Sequence, residues 1–135
     1  NCAYCMEGEL VAKFGIKICE LETSKVYLFK EQSHPGRCIV AHKKHVGDMN
    51  ELTAEERAAY FEDVARVARA IMKAFNPDKV NYGAYGDTGH HLHFHLCPKY
   101  KDEYEWGGVF LMNPDKKYLT DEEYADMIEK IKANL

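Results

Sequence analysis

The chain has no excess of positive charge, little proline and no long apolar run. Its 135 residues carry 18 Lys+Arg against 22 Asp+Glu, a formal net charge of −4. A broad nucleic-acid-binding surface leaves a basic footprint, so that class is excluded as the main role, although a local basic pocket for a small anion is not. No apolar run exceeds five residues, which excludes a membrane-spanning helix. Four prolines and nine glycines are too few for a low-complexity or fibrous chain. No N-terminal charged-then-apolar stretch resembles a secretory signal, so a reducing cytoplasmic compartment is expected. An aromatic share of 12% and a charged share of 30% fit a folded globular chain. At this length one domain is expected over residues 1–135, with a core about 2–99 and a C-terminal extension with a helix about 100–135.

Local patterns predict an α+β fold. Residues 15–21 alternate apolar and polar, and residues 25–30 follow after a short polar turn, as in a hairpin. Residues 31–36 (E-Q-S-H-P-G) read as a turn before a more buried strand at 37–42. A long helix is predicted from Ala54 to Phe75. Thr53 and Glu56 form a capping box at its start, and Asn76-Pro77 ends it. Its stripe of Tyr60, Phe61, Val64, Val67, Ala68, Ile71 and Phe75 reads as core or dimer packing. Strands at about 79–84 and 90–97 flank a Gly-rich turn, and Thr120 with Glu123 starts a second helix. The first three strands are joined too closely for crossovers, so the five-stranded sheet is expected to be mainly antiparallel, with two principal helices.

Four of the seven histidines fall in the segment G-H-H-L-H-F-H-L-C. On a strand His91, His93 and His95 share one face, about 6.6–6.8 Å apart per step, while Leu92, Phe94 and Leu96 occupy the other. A core strand gains nothing from three imidazoles, because each unsatisfied buried nitrogen costs about 1–3 kcal/mol. Two chemistries use such a row. The histidines could ligate a catalytic metal, or one imidazole could act as a nucleophile while its neighbours orient it and stabilise developing charge. Spacing alone does not choose between them. Of the five cysteines, Cys19, Cys38 and Cys97 lie in apolar stretches and read as buried thiols. Cys2 and Cys5 form a C-x-x-C pair that suggests metal or redox work. Two further ligands would be needed for zinc, and His34, His42, His45, His90 and His91 are the candidates.

The run His91–Cys97 resembles the motif of the histidine-triad (HIT) family, in which three histidines alternate with apolar residues. Asn81, Gly83, Gly86 and Thr88 fall on the family's upstream Asn-x-Gly and Gly-x-Ser/Thr pattern, and G-R-C-I-V-A-H-K-K-H is similar to its strand ending in a Lys-Lys-His-like turn. The resemblance implies a HIT-like fold and a nucleotide hydrolase or nucleotidyl transferase acting at the α-phosphate of a purine nucleotide conjugate. The conjugate would be a phosphoramidate or a dinucleoside polyphosphate. His93 would be the nucleophile, His91 would hold it by its backbone carbonyl, and His95 would sit near the leaving group. Asn81 and Thr88 would bind nucleotide and phosphate. The resemblance also implies a homodimer, no organic cofactor, and a structural zinc on Cys2, Cys5, His45 and His91, as in some bacterial members. A dinucleoside-polyphosphate phosphorylase and a non-catalytic nucleotide- or zinc-binding module are the alternatives.

The chain departs from the family pattern in two places near the phosphate. Asp87 stands where Gln is usual, and Arg37 where many members have His. An Arg37–Asp87 pair is expected there, which would turn the carboxylate away from phosphate. Glu31 is a loose ribose-binding candidate, Lys43, Lys44 and Lys99 could meet phosphate, and Trp106 could stack on a base or cover a dimer edge.

Overall fold

The structure is a computed structural model that describes residues 2–135. Two four-residue helices, α1 (Ala3–Met6) and α2 (Glu9–Ala12), precede a hairpin of β1 (Gly15–Glu20) and β2 (Ser24–Phe29). Then come β3 (Cys38–His42), a 3-10 turn (Met49–Glu51), the long α3 (Ala54–Phe75), β4 (Lys79–Gly83), β5 (His93–Lys99) and α4 (Asp121–Ala133). The sheet order is β1-β2-β3-β5-β4, and every neighbouring pair is antiparallel. The expected fold class holds.

Both principal helices start on reciprocal capping boxes, Thr53 with Glu56 and Thr120 with Glu123. Each box satisfies backbone N–H groups that have no partner inside the helix. The apolar stripe of α3 packs on one face of the sheet, where Tyr60, Val64, Val67 and Ile71 meet Val26, Leu28, Val40 and Leu96. Tyr124 and Ile131 of α4 join that same core, so the expected C-terminal extension is integral to it. Phe61 differs from the rest of the predicted stripe in being 36% exposed.

The opposite face of the sheet carries a second apolar cluster of Tyr4, Val11, Tyr27, Phe29, Ile39 and Ala41. Register places Ile39 opposite His95 and Ala41 opposite His93, so the histidine row lies on this face. The expected strand at 90–97 is displaced. It begins at His93 and runs to Lys99, because the backbone turns at Gly89–His91 and Leu92 N–H donates to Val46 O. The two short N-terminal helices fall below the length at which hydrophobic periodicity reads as helix.

Candidate active site

Each triad imidazole has a hydrogen bond that assigns its protons. His91 Nε2 donates to the carbonyl of His42 at 2.6 Å, which leaves Nδ1 unprotonated. His93 Nδ1 donates to the carbonyl of His91 at 2.7 Å, so its lone pair is on Nε2. That nitrogen has no hydrogen-bond partner among the described residues, and His93 lines a cavity of about 790 Å³. His95 also lines it. Its Nδ1 faces the Arg37 guanidinium at 3.0 Å and must accept, because arginine only donates. Burial holds the pKa values of His91 and His93 below the ordinary imidazole range. Burial, then the Arg37 charge, then His93 push His95 down to about 2. The triad is therefore neutral at pH 7, with one nucleophilic nitrogen open to the cavity.

Next to the triad, the ligand atoms of Cys2, Cys5, His45 and His91 all lie within 4.8 Å of one another. Cys2 Sγ is 3.2 Å from His91 Nδ1, Cys5 Sγ is 3.2 Å from His45 Nδ1, and the two Nδ1 atoms are 3.0 Å apart. Tetrahedral zinc with ligands at about 2.0–2.3 Å would separate its donors by roughly these distances. The hydrogen bond from His91 Nε2 to a carbonyl presents Nδ1 as the ligating atom, the usual outer partner of a metal-bound histidine. The tetrad thus fits a closed zinc site. The four residues expected to form it are the four the fold brings together.

The phosphate-side expectations fare unevenly. Thr88 and Asp87 are exposed at the rim of the triad cavity. Asn81 shares the triad face but pairs with Cys97 and lines a separate cleft with Lys79, Lys99 and Trp106. Arg37 does not pair with Asp87. It is fully buried and donates to the carbonyls of Leu111 and Met112 at 3.1 and 2.9 Å, besides His95. Its guanidinium lies between Phe29 and Phe110, 4.1 and 4.9 Å from their ring centroids. The cation moves to a place where acceptors and π faces replace water, whereas a rim carboxylate leaves it half-solvated. Glu31 is also no rim group: it is buried and accepts from Ser33 and from the backbone N–H groups of Lys116 and Lys117. Lys99 is buried on the carbonyls of Glu105 and Gly108, and Lys44 pairs with Glu56.

A family profile described as the HIT domain matches residues 15–102. This chain belongs to the HIT family. It is 28% identical over 116 residues to adenosine 5'-monophosphoramidase hnt1 of Schizosaccharomyces pombe, covering 79% of this chain and 80% of that protein. A histidine triad protein from Sinorhizobium meliloti superposes with a TM-score of 0.88 at 23% identity, over the full length of both chains. A zinc-bound histidine triad family protein from Mycobacterium smegmatis superposes with a TM-score of 0.69 at 22% identity, covering 98% of this chain and 94% of that one.

Two groups of site residues in this HIT chain escape a reading of the sequence. Tyr4 is buried against the triad, 5.0 Å from the His93 ring centroid and 5.4 Å from that of His91. Its position between Cys2 and Cys5 is the only local signal for it. A strap formed by residues 109–118 crosses the histidine face, and its Met112 and Asn113 line the cavity. One turn holds the strap with three buried side chains. Glu31 bonds Lys116 and Lys117, Arg37 bonds Leu111 and Met112, and His34 pairs with Glu105, whose carboxylate accepts from Leu111 N–H.

Proposed function

We propose that this HIT protein cleaves a purine nucleotide conjugate at its α-phosphorus through a nucleotidyl intermediate on His93. The observation that carries the reading is the hydrogen bond from His93 Nδ1 to the His91 carbonyl, which leaves the Nε2 lone pair facing a nucleotide-sized cavity. The nucleophilic nitrogen forms a bond to phosphorus, the leaving group departs with the electron pair, and water or another acceptor later cleaves the P–N bond. The hnt1 relative, an adenosine 5'-monophosphoramidase, supports a purine nucleotide conjugate as the substrate without deciding the leaving group. A catalytic metal on the triad strand is disfavoured by the geometry, since His93 and His95 stand outside the only metal-ligand cluster among the described residues.

The tetrad would hold zinc through Cys2 Sγ, Cys5 Sγ, His45 Nδ1 and His91 Nδ1. With four protein ligands it leaves no open position, so its role would be to fix His91 and, through the His91 carbonyl, His93. The proposal includes a reducing, cytoplasmic setting, in which Cys2 and Cys5 would stay available as zinc ligands. A homodimer is supported by β4, which leaves one sheet edge open beside exposed Tyr82 and Met72.

The test is intact-protein mass spectrometry after rapid mixing with diadenosine triphosphate and, separately, with adenosine 5'-monophosphoramidate. An acid-labile nucleotidyl adduct that maps to His93 is expected. Turnover without an adduct in wild type, undiminished in His93→Gln, would sink the proposal. Light scattering on the same sample reads the oligomeric state.

A further inference from the structure

Arg37 has a consequence for His95 that reaches the chemistry of the leaving group. Arg37 is fully buried: its two terminal NH2 groups donate to two strap carbonyls and to His95 Nδ1, the Phe29 and Phe110 rings flank it, and its Nε–H has no hydrogen-bond partner among the described residues. It has no acceptor capacity, so at 3.0 Å from Nδ1 it admits only the tautomer of His95 with the proton on Nε2. Nε2 has no hydrogen-bond partner among the described residues, and His95 lines the cavity beside His93, with ring centroids 5.4 Å apart.

We propose that Arg37 is a positioning residue that holds His95 as a neutral Nε2–H hydrogen-bond donor, and that the site is thereby specialised for conjugates whose leaving group departs as a stable anion. The inference rests on the nucleotidyl-His93 reading. When His93 Nε2 bonds to the α-phosphorus, the bond to the leaving group breaks and the leaving group takes its electron pair. From a phosphoric anhydride the departing oxygen is a phosphate oxygen that is stable unprotonated, and the Nε2–H of His95 need only donate a hydrogen bond to it. From a phosphoramidate the departing nitrogen must gain a proton. His95 could supply one only by becoming an imidazolate, since its second nitrogen cannot be protonated against the guanidinium. Burial and the Arg37 charge also keep the imidazolium out of reach at neutral pH. Anhydrides such as dinucleoside polyphosphates are therefore the favoured class, and phosphoramidates the disfavoured one.

Two measurements test this. Long-range ¹H–¹⁵N NMR of the wild-type protein, with His95 assigned through His95→Gln, is expected to show Nδ1 unprotonated and Nε2 protonated from neutral pH down to about pH 6. A proton on Nδ1 in that range overturns the inference. In single-turnover mass spectrometry, adduct formation from diadenosine triphosphate is expected to exceed that from adenosine 5'-monophosphoramidate by about 100-fold or more, the usual reach of general acid catalysis. Arg37→Gln should narrow that ratio by about tenfold or more, whereas Arg37→Lys, which keeps a cationic donor, should restore it. Equal wild-type rates overturn the inference and leave the nucleotidyl-His93 reading standing. An adduct from neither substrate overturns that reading, and the inference with it. Should Arg37→Gln fail to fold, the wild-type ratio and the His95 tautomer decide.

Discussion

Tyr4 lies against the ring of His93, with centroids 5.0 Å apart and planes tilted by 36°. It does so from α1, between the two cysteines of the tetrad. The N-terminal turn is too short to be stable as an isolated helix, so what holds Tyr4 in place is its packing and the ligand cluster on either side of it. The metal-ligand cluster and His93, the proposed nucleophile, are thereby one mechanical unit.

Replacing Cys2 and Cys5 together by Ser is expected to remove the zinc and to lower thermal stability, because structural zinc contributes directly to folding free energy. Turnover should fall about 10–100-fold as His91 and Tyr4 loosen around His93. Elemental analysis, a thermal melt and steady-state rates on the same preparation check this. Parent protein purified without chelators and carrying less than about a tenth of a zinc per chain would reduce the pair to ordinary thiols.

His93→Gln should abolish turnover, by about a thousandfold or more, while nucleotide binding and the melting curve change little. His93 is one of five histidines that line the cavity, so its loss would remove the proposed nucleophile and leave the cavity in place. Calorimetric titration with a non-hydrolysable nucleotide separates binding from chemistry. A residual rate above about a tenth of wild type would assign the nucleophile elsewhere.

Acid should destabilise the fold below the ordinary imidazole pKa of about 6.5. Burial lowers the pKa values of His34, His42 and His95 in the folded protein. The unfolded chain therefore binds more protons, so stability rises with pH. These groups contribute fully above the unfolded value, and the contribution is lost as pH falls toward the folded ones. Urea unfolding at pH 7.5 and pH 5.5, with chelator present in both, should give the lower midpoint at pH 5.5. A higher midpoint at pH 5.5 would contradict the sign.

Glu31→Ala should release the strap. Burial pushes the Glu31 carboxyl up, but hydrogen bonds from Ser33 and from the Lys117 and Lys116 backbones outweigh it and hold the group below the usual range. Truncation removes the shared acceptor of the Ser33, Lys116 and Lys117 backbone N–H groups, at about 0.5–1.5 kcal/mol for each hydrogen bond lost. Faster hydrogen exchange across residues 109–118 is the expected signature, with α3 unaffected. Unchanged exchange there would mean that Arg37 and His34 hold the strap alone.

The elements that local pattern controls were readable without coordinates. The period of two in His91–Leu96 places imidazoles and apolar side chains on opposite faces, and the structure keeps that division. Thr53 and Thr120 with their glutamates mark both principal helices, because capping chemistry lies within four residues of itself. The Cys2, Cys5, His45 and His91 tetrad was readable through the family resemblance and not from spacing, since Cys2 and His91 are 89 positions apart.

What only the tertiary structure decided is where the buried charges went. Arg37 and Asp87 lie on segments that suggested a pair, yet Arg37 turns inward to Leu111, Met112 and His95. Glu31 turns to Lys116 and Lys117, and Asn81 is set apart in its own cleft. The sequence by itself determined the sheet, the helices and the face that carries the histidines, because backbone period and capping are local. The tertiary structure decided the partners of the ionisable side chains. A buried charge goes where packing has left acceptors without water, and that depends on segments 70 or more residues away.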